Sequence, residues 1–562
     1  MESLPTDEAA KLSTSGRKPG GWITFPFMIA TMGGLSLAAG GWVSNLIVYL
    51  IEEYNVKSIE AAQIYNVFNG CIALFPIIGA IIADSFLGCF SVIWISSLIS
   101  LLGMVLLVLT AGLEPLRPSH CDNGSNLCTD PSKIQLVILY AGLVLSALGV
   151  GGTRFTLATM GANQFDKPKH QGIFFNWYLV ALYVPSVIST TAIVYVQDNV
   201  SWASGFGICV AANVLGLAIF LLGSPFYRHV RPQGSPFMGL ARVVVAAVNK
   251  RKVQISMKGE NYYQELHDGS TSMMAATPTQ FFKFLNRAAL KTEGDIGPNG
   301  SIAKPWKLCP VQQVEDLKSL IRIFPLWSTG VFLSIPIVIQ SSLPIIQALT
   351  MDRHLGSHFQ IPSGSIIVFI LISTSITIIF IDRVLFPTLE KFSGRPLTPL
   401  KRVGIGHVLT GLSMAVAALV ESSRLKMEKF HHLQDQNGAV VPMSVMWLVP
   451  QLAIVGIGEA FHFPGNVAFY YQEFPATLKS TSTAMVALFM GISYYLGNSV
   501  MDLLRRVTGW LPDNINDGRL DNVYWVCAAL SMLNFVYYLV CAWLYKYQNA
   551  EEAFDNSSKP EK

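Results

Sequence analysis

The sequence has little charge. Only 13% of its 562 residues are Asp, Glu, Lys or Arg and 51% are hydrophobic, whereas soluble domains carry about 25% charged residues. Half the usual charge, with apolar runs along the whole chain, indicates that lipid rather than water is the solvent. The formal net charge is only +4, so the lipid bilayer is an expected partner and nucleic acid is not.

The motifs of soluble catalysis are also missing. The chain has no GxxxxGK[ST] phosphate loop, no HExxH zinc motif and no G-x-S-x-G nucleophile motif, and each of these carries a recognised chemistry. His and Cys do not cluster at metal-ligand spacing, so we expect no metal and no cofactor. The first twenty residues are polar, so the first span should direct its own insertion without a cleaved signal peptide. We expect neither an enzyme nor an ATP-driven pump.

Long apolar segments are abundant. A membrane-spanning helix needs about 20 mostly apolar residues, and the chain has twelve such segments, six on either side of a long polar stretch. They lie near Trp22–Tyr49, Ala61–Ala83, Phe90–Leu113, Ile134–Met160, Phe174–Val196, Trp202–Gly223, Leu320–Leu349, Ser365–Phe386, Val403–Val420, Ser444–Phe469, Thr483–Leu504 and Asn522–Tyr545. The sequence therefore predicts an all-α membrane protein with twelve transmembrane helices in two six-helix bundles.

The polar stretches divide the chain into five parts. We predict an N-terminal tail at 1–21, a bundle at 22–223, a linker at 224–316, a second bundle at 317–547 and a tail at 548–562. Lys and Arg concentrate in the linker and the short loops on its side, which places the linker and both termini in the cytoplasm. Two halves joined in this way are typical of carriers that rock about a site at mid-depth in the bilayer.

The basic linker has two interpretations. It is either a solvated connector that obeys the charge rule, which we favour, or a segment that binds anionic lipid or is regulated. The same orientation leaves a few basic residues on the outer side: Arg424, Lys426, Lys429, Arg505 and Arg506.

Few ionisable residues fall inside the spans. Arg154 lies in the fourth and Glu459 in the tenth, and a charge at that depth usually faces a cavity or a partner. Arg154 precedes Asp166 by twelve residues and Glu459 precedes Glu473 by fourteen, so at about 1.5 Å per residue the two lie at similar depth. His462 follows Glu459 by three positions, on the same side of the helix.

Two interpretations of this pair remain open. Arg154 attracts an anionic solute, with Glu459 and His462 as counter-charge or pH-sensitive partner, or Arg154 and Glu459 form a static ion pair between the halves. For His462 alone, helix packing is the better interpretation. In the loop after the third span, Cys121 and Cys128 could form a disulfide and Asn123 begins a glycosylation sequon, if that loop is extracellular.

Eight short motifs recur in colinear order along nearly the whole chain. They are Gly79–Gly88, Gly149–Arg154, Gly161–Asp166, Phe174–Tyr178, Val196–Asn199, Trp447–Gln451, Gly458–Phe461 and Gly509–Asn514. In these motifs the chain resembles the plant nitrate/peptide transporter family, which belongs to the proton-coupled oligopeptide branch of the major facilitator superfamily. The resemblance implies the fold of that superfamily.

The departures from the family pattern carry the functional prediction. Most members have Glu-x-x-Glu-Arg or Glu-x-x-Glu-Lys in the first span, a motif associated with proton coupling. Here the corresponding positions are Met32, Leu35 and Ser36, so both acids and the base are missing. Arg154 thereby loses its expected carboxylate partner, and the cavity becomes more favourable to an anion. Four residues are candidates for substrate binding: Arg154, Tyr183, Gln340 and Ser341.

A subgroup known as the nitrate excretion transporters lacks the motif in this way, and the chain resembles it. The resemblance implies passive or weakly proton-dependent efflux of nitrate or chloride by alternating access, at the plasma membrane. Two alternatives remain: a proton-coupled importer of peptides, glucosinolates or hormones that uses Glu459, and a non-transporting membrane sensor or scaffold.

Overall fold

The structure is a computed structural model that describes residues 19–119, 130–230, 234, 236–255, 261–264, 278–297, 302–393, 397–433, 439–474 and 482–545. The predicted disulfide between Cys121 and Cys128 and the predicted glycosylation at Asn123 lie outside the described residues.

The described chain is built from helices. The α-helices of the first half are α1 (Phe25–Val43), α2 (Leu46–Glu52), α3 (Ser58–Ile82), α4 (Gly88–Gly112), α5 (Lys133–Ala162), α6 (Pro168–Ile188), α7 (Val194–Asn199) and α8 (Trp202–Leu222). The linker contains α9 (Pro236–Asn249), and the second half contains α10 (Val311–Leu349), α11 (Val368–Phe380), α12 (Phe386–Ser393), α13 (Pro399–Phe430), α14 (Val449–Glu473), α15 (Ser482–Thr508) and α16 (Leu520–Leu544). Four short strands lie at one end of the second half: β1 (Met351–Asp352), β2 (His354–Leu355), β3 (Phe359–Gln360) and β4 (Val441–Ser444), with β1 parallel to β4 and β2 antiparallel to β3.

The number of spans follows from helix lengths. Among the described residues, eleven continuous helical stretches are long and apolar enough to cross a membrane, and one of them, Ser58–Gly112, has 55 residues. At 1.5 Å per residue that stretch would extend about 80 Å, far more than a hydrocarbon core of about 30 Å. It is divided at Gly88, whose φ of 77° is available mainly to glycine, into α3 and α4. The described residues therefore contain twelve spans, as predicted.

Glycines let the helices of the first half approach closely. A Cβ added at Gly149 of α5 would lie 2.3 Å from the Cβ of Ser100 on α4, and one added at Gly79 of α3 would lie 2.9 Å from the Cα of Gly152 on α5. Small residues at such crossings bring helix backbones together where lipid offers no hydrophobic driving force. This packing fixes the depth and rotation of α5, which carries Arg154.

The two halves meet at the end of the molecule remote from the linker, which we call the far end. There Lys57 Nζ lies 2.7 Å from Asp513 Oδ2, and Ser365 Oγ donates to the backbone oxygen of Thr190 over 2.6 Å. Nearer the middle, Asn66 Nδ2 donates to Asn498 Oδ1 over 3.0 Å. This conformation is closed at the far end.

The linker is more ordered than the favoured interpretation predicted. Buried side chains of α9, of the 3₁₀ helix Lys283–Ala289 and of the first turn of α10 share a small apolar core, including Val243, Leu285 and Val311. The predicted start of the second bundle, residue 317, lies inside α10, which begins at Val311. The first turn of α10 is helical because it packs in this core. A solvated connector is therefore an incomplete description of this part of the chain.

Arg424 lies within a helix that continues beyond the predicted span. The apolar segment Val403–Val420 ended before it, whereas α13 continues to Phe430. Arg424 is fully buried and makes two hydrogen bonds to Glu421, of 2.8 and 2.7 Å. The helix continues because the two charges satisfy each other one turn apart.

Candidate functional site

A cavity lies on the inner face of the first half, between α1, α3, α4, α5 and α6. Its volume is about 170 Å³. It is lined by Met32, Leu35, Ser36, Ala39, Gly40, Val43, Asn69, Ile72, Ser100, Val150, Thr153, Arg154, Leu182 and Ser186. Of these described residues, Arg154 is the only one with an ionisable side chain. The three positions where the family motif is degenerate, Met32, Leu35 and Ser36, therefore share one cavity with Arg154.

The Arg154 side chain is half-buried. Its backbone oxygen accepts a hydrogen bond from the Tyr178 hydroxyl of α6, so the main chain at this position is fixed. Among the residues that the structure describes, no hydrogen bond or ion pair holds the guanidinium group. Its five N–H donors are therefore available to a ligand in the cavity.

Glu459 lies on α14 in the other half and is also half-buried. Its Oε2 is 3.4 Å from Thr374 Oγ1 of α11, which donates to it. Within the described chain, Glu459 and Arg154 are not within ion-pair distance of each other, so the static pair is not formed in this conformation. Tyr183 of α6 and Tyr494 of α15 each lie close enough to both charges to interact with them electrostatically. Both tyrosines therefore lie near the arginine of one half and the carboxylate of the other.

Ser341 joins the same group of residues. It is half-buried on α10, donates to the backbone oxygen of Val338 over 2.7 Å, and contacts the hydroxyl groups of Tyr65 and Tyr494. Ser341 and Tyr183 thus lie in the same part of the molecule as Arg154 and Glu459. We call the part that these four residues occupy the central region. Gln340 does not lie there: its side chain is fully buried and its Nε2 lies 3.4 Å from the backbone oxygen of Ser413.

His462 lies away from the central region. It is fully buried between α13, α14 and α15, with its ring centroid 6.4 Å from that of His407 and 5.6 Å from that of Phe489. None of the ring nitrogens of these two histidines has a hydrogen-bond partner in the described structure. A Cβ at Gly406 would lie 2.7 Å from the His462 Cβ, which shows how closely α13 covers the ring. Three residues turn a helix by about 300°, and here the remaining 60° separates His462 from the face of Glu459.

Sequence reasoning missed several residues of the central region. Tyr65, Tyr494 and Thr374 gave no signal, because hydroxyl side chains are common in spans. Asn69, whose amide lines the cavity, could have been found, since uncharged amides in the middle of a span usually face a cavity or another helix. The structure also shows opposite charges at the far end, where Arg353 of the second half is near Glu52 and Asp198 of the first.

Comparisons with known proteins agree with this architecture. A family model described as the POT family matches residues 90–516. Protein NRT1/PTR FAMILY 2.7 of Arabidopsis thaliana is 53% identical over 96% of this chain and 95% of its own length. Protein NRT1/PTR FAMILY 2.3 of the same plant is 52% identical over 98% of each chain.

Solved structures support the fold independently. An auto-inhibited POT family peptide transporter aligns with a TM-score of 0.66 and 17% identity over 93% of this chain and 97% of its own. The POT family transporter PepTSo aligns with a TM-score of 0.65 and 19% identity over 94% and 99%. Membership of a family of carriers also leaves the sensor or scaffold interpretation without support. The chain belongs to the NRT1/PTR family of plant membrane proteins, within the POT family of the major facilitator superfamily, and is a secondary transporter rather than an enzyme.

Proposed function

We propose that this transporter carries small inorganic anions, nitrate first and chloride second, passively or with weak proton dependence. The observation that carries the proposal is the unpaired Arg154 guanidinium in a cavity whose other lining residues, all within the described chain, are uncharged. Arginine has a planar fork of donors that matches planar oxyanions. An anion of that shape is the ligand that such a cavity suits best.

The degenerate first-span motif strengthens this argument. With Met32, Leu35 and Ser36 in place of two acids and a base, the cavity carries about one more positive unit than in relatives with the full motif. At an effective dielectric of about 20, one unit charge at about 4 Å is worth about 4 kcal/mol. That difference favours an anion and removes the groups that would bind a co-transported proton.

Cavity size favours an inorganic ion over a larger solute. Sites for drug-sized ligands usually measure about 300–1,000 Å³, and this cavity is smaller, at about 170 Å³. With the linker in the cytoplasm, closure at the far end is closure towards the outside. In this conformation the cavity would then exchange its ion with the cytoplasm, and the efflux across the plasma membrane that we propose requires such a state in its alternating-access cycle.

Flux measurements in proteoliposomes test the proposal. The wild-type protein should conduct nitrate down its gradient without an imposed pH gradient, and Arg154→Gln should reduce that flux by about tenfold or more, since a hydrogen bond to a charged group contributes about 1.5–3 kcal/mol. Arg506→Gln is the matched control, because Arg506 pairs with Asp502 on the surface. Equal nitrate flux in the wild type and Arg154→Gln would refute the proposal.

A second candidate function rests on Glu459. A half-buried carboxylate near the centre of a span, with a single long hydrogen bond from Thr374, is a group that could take up a proton during transport. The protein would then import an organic solute together with protons. Substrate-driven acidification of the vesicle interior, lost in Glu459→Gln, would favour this function, whereas nitrate flux that is insensitive to Glu459→Gln would favour the first.

A further inference from the structure

The linker helix α9 has two apolar faces. Val243, Ala246 and Ala247 are buried in the small core of the linker. The opposite face is exposed: Val244, Val245 and Val248 keep 46%, 39% and 57% of their surface accessible. Together with exposed Ala241, they follow the i, i+3, i+4, i+7 spacing of one helical stripe. An exposed apolar stripe of this kind marks a surface that binds a partner or a membrane.

The linker helix is attached near the ends of the spans α3 and α10. Two residues before α9 begins, the Gly234 N–H donates to the backbone oxygen of Asp84 over 2.9 Å, and Asp84 lies in the turn between the spans α3 and α4. The body of α9 packs on Val311 and Val314 at the start of α10.

The length of α10 sets the level of these contacts. Its 39 residues extend about 58 Å, at 1.5 Å per residue, nearly twice the hydrocarbon core of about 30 Å. A helix of that length extends beyond the hydrocarbon core, and α9 packs against its first turn, at the linker end.

The positive charge of the linker indicates what covers the valine stripe. Residues 224–316 contain twelve basic and seven acidic side chains, a net charge of +5, although the whole chain carries only +4. Exposed Arg251 and Lys252 directly follow α9. An apolar helical stripe beside basic residues is the pattern of helices that lie in the interface of an anionic bilayer.

We propose that α9 is an interfacial helix, with its valine stripe inserted at the headgroup–acyl boundary and Arg251 and Lys252 contacting anionic lipid headgroups. The bilayer is the committed occupant, because α9 is attached beside the linker ends of the spans α3 and α10 and the linker carries a net positive charge. This inference is independent of the transported solute.

Photo-crosslinking in nanodiscs tests the inference on the full-length protein. Benzoylphenylalanine is placed at Val248, and at exposed Glu293 as a polar control in the same linker, in nanodiscs of phosphatidylcholine and phosphatidylserine with one protein copy each. We expect lipid adducts by mass spectrometry at position 248 in clear excess over position 293. Equal yields, or adducts only to protein, would overturn the proposal.

A second arm examines the charge. Arg251→Gln and Lys252→Gln should each lower the ratio of phosphatidylserine to phosphatidylcholine adducts by about fivefold at low salt, because a basic side chain near an anionic surface contributes about that factor. Lys426→Gln, an exposed lysine at the far end, should leave the ratio unchanged. Deuterium exchange of residues 236–249 in the unmodified protein should be slower in the mixed nanodiscs than in phosphatidylcholine alone. An unchanged ratio and unchanged exchange would refute the lipid contact even if a variant folded poorly.

Discussion

Returning one carboxylate to the first span should suppress anion transport. Leu35 and Arg154 line the same cavity, and a sphere of its volume, about 170 Å³, is about 7 Å across. At that separation and an effective dielectric of about 20, a carboxylate at position 35 cancels about 2.4 kcal/mol of the attraction for a univalent anion. Leu35→Glu should therefore reduce nitrate flux roughly 50-fold near neutral pH.

The matched control is Leu35→Gln, which has nearly the same volume and polarity without the charge. Nitrate flux into proteoliposomes at saturating and limiting nitrate would separate the two variants. The Leu35→Glu variant should also recover flux as the pH falls towards the ordinary glutamate pKa of about 4.3, where the new side chain becomes neutral. If the Glu and Gln variants conduct equally at neutral pH, Arg154 does not set the anion preference and the reasoning fails.

Three further predictions concern other parts of the molecule. Lys250 Nζ pairs with the buried Asp295 carboxylate at 2.7 Å, so Lys250→Met should destabilise the linker by about 3–5 kcal/mol in deuterium-exchange measurements; unchanged exchange of residues 283–297 would contradict this. Burial raises the pKa of Asp295, but the hydrogen bond from Lys250 outweighs burial and holds this pKa below its ordinary value. The stability that the ion pair contributes is therefore fully present above the unfolded pKa of about 3.9, and it is lost as the pH falls through the lower, folded pKa. His462→Leu should change the free energy of unfolding by less than about 1 kcal/mol, since it removes two unpartnered ring nitrogens, and a loss above about 2 kcal/mol would indicate water-mediated bonds. Arg353→Gln should weaken far-end closure up to about fivefold, measured as a wider spin-label distance across the stacked Tyr195 and Phe359 rings, and an unchanged distance distribution would exclude a role for Arg353.

The membrane spans could be predicted from the sequence because each span is determined by its own consecutive residues. About 20 apolar residues in a row satisfy both the bilayer thickness and the backbone hydrogen bonds, so the twelve segments could be found one at a time. Arg154 and Glu459 were found for the same reason, since a charge in such a segment is costly wherever it points. What the pattern could not supply was the rotation of each helix. Gln340, a candidate for substrate binding, is buried in helix contacts, and so is His462, for which helix packing was the better interpretation.

The ends of the helices were harder to predict because tertiary contacts decide them. A buried pair such as Glu421 and Arg424 lets α13 continue through residues that resemble a loop in sequence. The start of α10 at Val311 depends on apolar partners in the linker, which include Leu285 and extend back to Val243, 68 residues earlier in the chain. The pair in α13 lies within one helical turn, but the contacts of α10 with the linker could not be inferred from a window of neighbouring residues. Hydrophobic side chains of the linker, scattered at low density, gave no sign of a shared core.

The proposed preference for anions can be explained by the missing partner of Arg154, because the acids of the first span are absent while charges elsewhere are paired. In the described chain most buried charges have a partner, as Arg424 has Glu421 and Lys250 has Asp295. Arg154 departs from this rule, and an unpaired guanidinium in a low-dielectric site is costly unless water or an ion compensates it. An anion that enters the cavity therefore relieves a cost that the protein carries when empty. Binding should nevertheless remain weak, because Glu459 and the two tyrosines near both charges offer an alternative set of interactions once the halves rearrange. A carrier of the proposed kind, which must release its ion on the other side, requires that balance.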